Sequence, residues 1–168
     1  MEFFLAEFNF EKASIEDCTD PGCESLALPS AHFCWRIASP LVSVQRQSDW
    51  TVFLWGSARH KTEEFASYDV AHEIALILAE GGSLGLCLGN LEGGFGVIAW
   101  NEKESKLLFA TDPIGMTKLY LGEDHGKIVI SSHAHLVARR LGNLTVSGDG
   151  LSLLFSLKGI PAPYTIFE

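Results

Sequence analysis

Between residues 94 and 112 the chain reads Gly-Phe-Gly-Val-Ile-Ala-Trp, then Asn-Glu-Lys-Glu-Ser-Lys, then Leu-Leu-Phe-Ala-Thr-Asp. Two apolar runs of strand length on either side of a charged connection predict a β-hairpin, and so antiparallel pairing. Other segments carry the same signature. Residues 3–10 alternate loosely and are rich in phenylalanine, His32–Ile37 forms a second β-like stretch, and Thr51–Gly56 is a short apolar run ending in glycine. Two further short strands are expected at Lys118–Gly122 and Lys127–Ser132, joined by the turn Glu-Asp-His-Gly. Helical spacing of Val70, Ile74, Ala75 and Leu78 predicts a helix over 69–79, with Asp69 as its cap and Gly81 and Gly82 as its stop. The segment around Gly89 reads as a loop, and two more helices are expected at 134–140 and 151–156. Hairpins with helices inserted between and after them imply an α+β sandwich and not alternating βαβ units.

A chain of 168 residues, 47% hydrophobic and 20% charged, can bury about 70% of its unfolded surface, enough for one sizeable core. One domain over 1–168 is the expectation. The formal charge of −9 argues against nucleic acid or an anionic membrane as partner, because both are bound by lysine and arginine. A small molecule or a protein suits it better. No run of about eighteen apolar residues occurs, and the opening residues carry glutamates where a secretion signal has basic and then apolar ones. The expected location is cytoplasmic. Cys18, Cys23, Cys34 and Cys87 make no C-x-x-C pair, so no metal site is expected, and Cys34 and Cys87 read as reduced core residues.

Residues 91–120, LEGGFGVIAWNEKESKLLFATDPIGMTKLY, hold a Gly-Phe strand opening and an Asp-x-x-Gly turn, Asp112 to Gly115, ahead of Leu119-Tyr120. KIVISSHAHLVA follows as strand then helix, and the chain closes on GIPAPYTIFE. Together these resemble the N-terminal glutamine-hydrolysing domain of asparagine synthetases, over about two thirds of the chain. Their physical reading is structural: Gly94 and Gly96 allow close backbone approach, Asp112 accepts hydrogen bonds from its own turn, and Gly115 takes φ > 0. The resemblance implies the four-layer αββα sandwich of N-terminal-nucleophile hydrolases, built on two antiparallel sheets. It also implies that the proline-bearing tail leads into an ATP-dependent synthetase domain, to which ATP and magnesium would belong; this domain itself is expected to need no cofactor.

In that family an N-terminal cysteine attacks glutamine and its own α-amino group is the base, titrating near pH 7.7 to 8.0 when unperturbed. Here Glu2 stands in the nucleophile position, so no catalytic residue is assigned. Excision of Met1 ahead of the long Glu2 side chain is not expected. The resemblance makes Arg36 the clamp for the glutamine carboxylate, against the plainer reading of a strand-end arginine with a surface partner. Leu54-Trp55-Gly56-Ser57 falls on the family's Asn-Gly-Glu, which keeps Gly56 in the substrate site but puts Trp55 where the oxyanion-hole asparagine would be. Tyr68-Asp69 matches Ser-Asp and would bring Asp69 to the substrate amino group, against its reading as a helix cap. His133 and His135 stand where the family has glutamate and a basic residue, and read as a helix-start surface feature. Lys118, Glu63 and Glu64 read as solvated.

Three functions follow. The first is a non-hydrolysing glutaminase-like domain that serves an amide-forming enzyme as scaffold or interface, as in relatives that close rings without ammonia. The second is an active glutamine-hydrolysing domain, and the third a stand-alone module for an amino acid or acidic metabolite. Partners implied are the synthetase domain, glutamine or a related amino acid, and a second copy of the chain. An exposed apolar patch of at least about 400 Å² is expected where the synthetase domain docks, with the tail Gly159–Glu168 along it.

Overall fold

The computed structural model describes residues 3–10, 22–37, 41–61, 69–161 and 164–167. In chain order the elements begin with strands β1 (Phe3–Asn9), β2 (Glu24–Ala27), β3 (Ala31–Arg36), β4 (Val42–Gln47), β5 (Trp50–Gly56) and β6 (Arg59–His60). Helices α1 (Val70–Ala79) and α2 (Leu84–Gly89) follow, then strands β7 (Leu91–Glu92), β8 (Phe95–Asn101), β9 (Lys106–Thr111), β10 (Tyr120–Asp124) and β11 (Lys127–Ser131). Helices α3 (Ala134–Leu141) and α4 (Gly148–Leu157) complete the series. The described residues are α+β, with two large antiparallel sheets and four helices, in agreement with the expected α+β class built on two antiparallel sheets. Among the described residues no helix is long and apolar enough to cross a membrane. Two compact units divide it, Met1–Arg36 with Leu119–Glu168 and Ile37–Lys118.

The first unit is a five-stranded sheet in the order β10-β11-β1-β3-β2. Alternation along β1 puts Phe4, Ala6 and Phe8 on one face, beside their ladder partners Trp35, Phe33 and Ala31, all buried. The Phe8 and Phe33 rings meet edge to face at 5.5 Å, a favoured aromatic arrangement. Glu7 points the other way, is 1% exposed, and is held by Arg140 from α3. Lys127 Nζ stands 2.8 Å from Glu7 Oε2, within ion-pair distance though outside hydrogen-bond geometry. Two cations around one buried carboxylate offset the cost of taking it out of water.

The β10–β11 connection is tighter than the expected four-residue turn: only His125 and Gly126 lie between the strands, at φ 43° and 71°. Left-handed φ at both central positions is what a two-residue hairpin loop requires. Helix α4 begins earlier than expected because Ser147 caps it, its Oγ accepting from Gly150 N at 3.2 Å; the glycines at 148 and 150 hid that start. The described tail turns back on its own unit. Ser147 N donates to Ile166 O at 2.9 Å, Val146 bridges Phe167, and a Cβ on Gly150 would meet Thr165 O at 2.3 Å.

The second unit holds the sheet β4-β5-β8-β9 and the small pair β6-β7. The 94–112 hairpin forms as β8 and β9, with Asn101 opposite Lys106 and Asn101 Oδ1 accepting from Glu104 N at 2.9 Å across the turn. Val52, Leu54, Val97 and Ala99 share the face that receives Val70, Ile74 and Leu78 of α1, and this is the unit's core. Each of the valine, leucine and isoleucine side chains contributes roughly 1.5–3 kcal/mol on burial. Helix α2 occupies the expected loop around Gly89, capped by Ser83. Strand β4 was hidden by its polar alternation Ser-Val-Gln-Arg-Gln.

One cysteine expectation is corrected. Cys34 is disulfide-bonded, not a reduced core thiol; burial on a strand is equally compatible with either state. Cys87 is free and buried, and burial first, then the charge of Glu73, pushes its thiol up.

Candidate functional site

The residues assigned to substrate fall in both units: Arg36 in the first, Gly56 and Asp69 in the second. Glu2, Tyr68, Glu63 and Glu64 lie outside the described residues.

Arg36 ends β3, opposite Phe3 in the β1 ladder. Its guanidinium carbon is 5.7 Å from the centroid of the Phe3 ring, and Nη2 donates to Cys23 Sγ at 3.7 Å. The group is half-buried and stacked, a setting that suits arginine's planar, weakly hydrated head.

Asp69 is the N-cap of α1. Its Oδ1 accepts from Ala71 N at 3.1 Å and from Ser43 Oγ at 2.8 Å, Oδ2 accepts from Ser43 Oγ at 3.0 Å, and Gln45 Nε2 also donates to Oδ2. The carboxylate therefore fastens the helix start to β4. Gly56, the last residue of β5, carries φ 93°, and a Cβ there would stand 2.3 Å from Gly94 O; only glycine fits. Its amide donates to Leu41 O at 2.8 Å. The segment Leu41–Gln45 thus touches both assigned residues of this unit, at Gly56 through Leu41 and at Asp69 through Ser43 and Gln45. Nothing in the sequence marks Ser43 and Gln45, since hydroxyl and amide side chains on a polar strand give no motif.

Trp55 is buried and stands opposite Gly96 in the β5–β8 ladder. Its ring lies against that glycine, beside Phe53 at 5.7 Å between centroids. The turn after β9 is organised by Asp112, which is buried: Oδ1 accepts from Met116 N at 2.9 Å and Oδ2 from Thr117 N at 2.8 Å. Burial alone would raise this carboxyl, but the Met116 and Thr117 amides, the Thr117 hydroxyl and the Ile114 amide outweigh it, so it is held below the ordinary range. Gly115, at φ 68°, donates to Asp112 O at 3.0 Å and closes the turn as expected.

In the first unit His133 takes the N-cap position of α3 without capping it. Its Nδ1 is 2.9 Å from Ser132 Oγ, which accepts from Phe4 N at 3.2 Å. Burial and then the neighbouring His135, 5.6 Å away between rings, favour its neutral form.

The sequence model of the glutamine amidotransferase domain family matches residues 51–139, just over half of the chain. The chain belongs to the glutamine amidotransferase domain family. The match begins on β5 and ends in α3, so it takes in Trp55, Gly56, Asp69, the β8–β9 hairpin and the Asp112 turn. No curated protein matches the chain. Within this amidotransferase domain, the glycines and Asp112 hold backbone geometry, while Asp69 and Gly56 spend their hydrogen bonds on β4 and the residue before it.

Proposed function

We propose that this glutamine amidotransferase domain does not hydrolyse glutamine and serves as scaffold or interface for an ATP-dependent, asparagine-synthetase-like amide-forming domain. The observation that carries the reading is the occupied Gly56 amide: its N–H is given to Leu41 O at 2.8 Å, next to an indole where the resemblance puts an asparagine. An oxyanion hole works through donors left free for the developing charge, and loss of one donor costs about 10²–10³ in rate. Arg36 and Asp69 are the proposed remnants of the glutamine site, for its carboxylate and amino group. Phe155 and Leu157 of α4 and Leu144 just ahead of it are exposed, and apolar surface of this kind, available for a partner domain to cover, supports the interface role. The partner domain would bring ATP and magnesium to activate a carboxylate, and the proposed setting is the cytoplasm.

The test is covalent labelling with a diazo-ketone glutamine analogue, read by intact mass. An unmodified chain is expected; a stoichiometric adduct would mean a working nucleophile and would overturn the proposal.

A further inference from the structure

A cavity of about 630 Å³ lies in the first unit along β10. It is lined by Tyr120 to Asp124 of that strand, by Val137 and Leu141 of α3, and by Tyr164 and Phe167 of the tail. None of Arg36, Gly56 and Asp69 lines it. Strand β10 is the edge of its sheet, with β11 on one side and no strand on the other among the described residues. Proteins usually blunt such an edge with lysine, proline or a bulge. Tyr-Leu-Gly-Glu-Asp contains no lysine or proline and pairs with β11 without interruption.

The charge of the cavity is one-sided. Glu123 and Asp124 line it, and among the described residues no lysine or arginine does; the neighbouring Lys127 and Arg140 are turned to Glu7. The apolar residues lie toward the start of the strand, where Leu121 is 47% exposed on one face and the Gly122 backbone abuts Val137 and Leu141 on the other. We propose that the open edge of β10 is a docking site for an extended peptide segment carrying apolar residues beside basic ones. A strand laid along β10 takes its main-chain hydrogen bonds from the unpaired edge. Cross-strand pairing sets its apolar residues opposite Leu121 and Gly122 and its cations opposite Glu123 and Asp124.

Fluorescence anisotropy on the full chain, with capped peptides carrying two valines beside two lysines in either order, tests this directly. Saturable binding that weakens with salt is expected, together with slowed amide exchange in β10. The exposed pair Glu123→Lys/Asp124→Lys should weaken it by about tenfold or more, and N-methylation of alternate peptide amides should abolish it. Binding indifferent to N-methylation, no saturable binding, or full displacement of the peptide by 1,4-diaminobutane at matching concentration would overturn the proposal, the last by making the cavity a small-cation site.

Discussion

The indole of Trp55 lies across the backbone of Gly96, its partner in the β5–β8 ladder, so closely that a Cβ at 96 would stand 2.0 Å from the ring. The two residues are read as one unit: the large ring at 55 is possible because 96 has no side chain. Gly96→Ala should destabilise the chain by about 1–3 kcal/mol, as overpacking does, measured by urea denaturation. Combined with Trp55→Ala, the cost should shrink, giving a coupling well above experimental error. Additive effects would mean that the ring relaxes freely.

Asp69 separates a structural role from a binding role. Asp69→Ala should cost about 1 kcal/mol through loss of the α1 cap, while Asp69→Asn keeps an acceptor for Ala71 N and should cost little. If the carboxylate also meets an amino group, Asp69→Asn alone should weaken glutamine binding in calorimetry. Equal glutamine affinity in wild type and Asp69→Asn would leave Asp69 a cap only.

The Asp112 turn makes a pH prediction. Its carboxyl is lowered in the folded chain from the ordinary 3.8, so the folded state binds its proton less readily than the unfolded state. Its contribution is complete above pH 3.8 and is lost as pH falls through the lowered folded value. Asp112→Asn should lower the melting temperature at neutral pH and flatten its acid dependence, checked by thermal scans across pH. An unchanged acid limb would assign that limb to other carboxylates.

Cys34 bears on location. Structural disulfides persist in oxidising compartments and are rare in the cytosol, which stands against the proposed cytoplasmic setting. In chain isolated under air and denatured without reductant, Cys23 and Cys87 should react with a thiol reagent, and Cys34 only after reduction. Reaction of Cys34 in unreduced chain freshly released from cytosol would favour the cytoplasmic reading, with the bridge forming later.

Much of the second unit was legible in the sequence because its signals are local. The hairpin of β8 and β9, the α1 period with its Asp69 cap, and the Asp112–Gly115 turn are each written within a few residues. Strand β4 was not legible, since Ser43 and Gln45 alternate with only two valines and Arg46 takes the next place on the valine face, and α2 was obscured by Gly85 and Gly89. The candidate site was legible only by resemblance. What occupies the Gly56 amide depends on Leu41, fifteen positions away in sequence, and what holds Asp69 depends on Ser43 and Gln45; no spacing rule announces contacts between strands. The early start of α4 shows the same limit, because Ser147 acts as a cap only once the chain has turned.

With the Gly56 amide committed to Leu41 O, the proposed domain does not turn glutamine over. Ammonia release from glutamine by the purified chain, followed with a coupled glutamate dehydrogenase assay, decides the matter. Release no faster than the protein-free blank is expected, both for wild type and for Trp55→Asn, since restoring one side-chain donor leaves the backbone donor occupied. Sustained, enzyme-dependent ammonia release from the wild-type chain would contradict it.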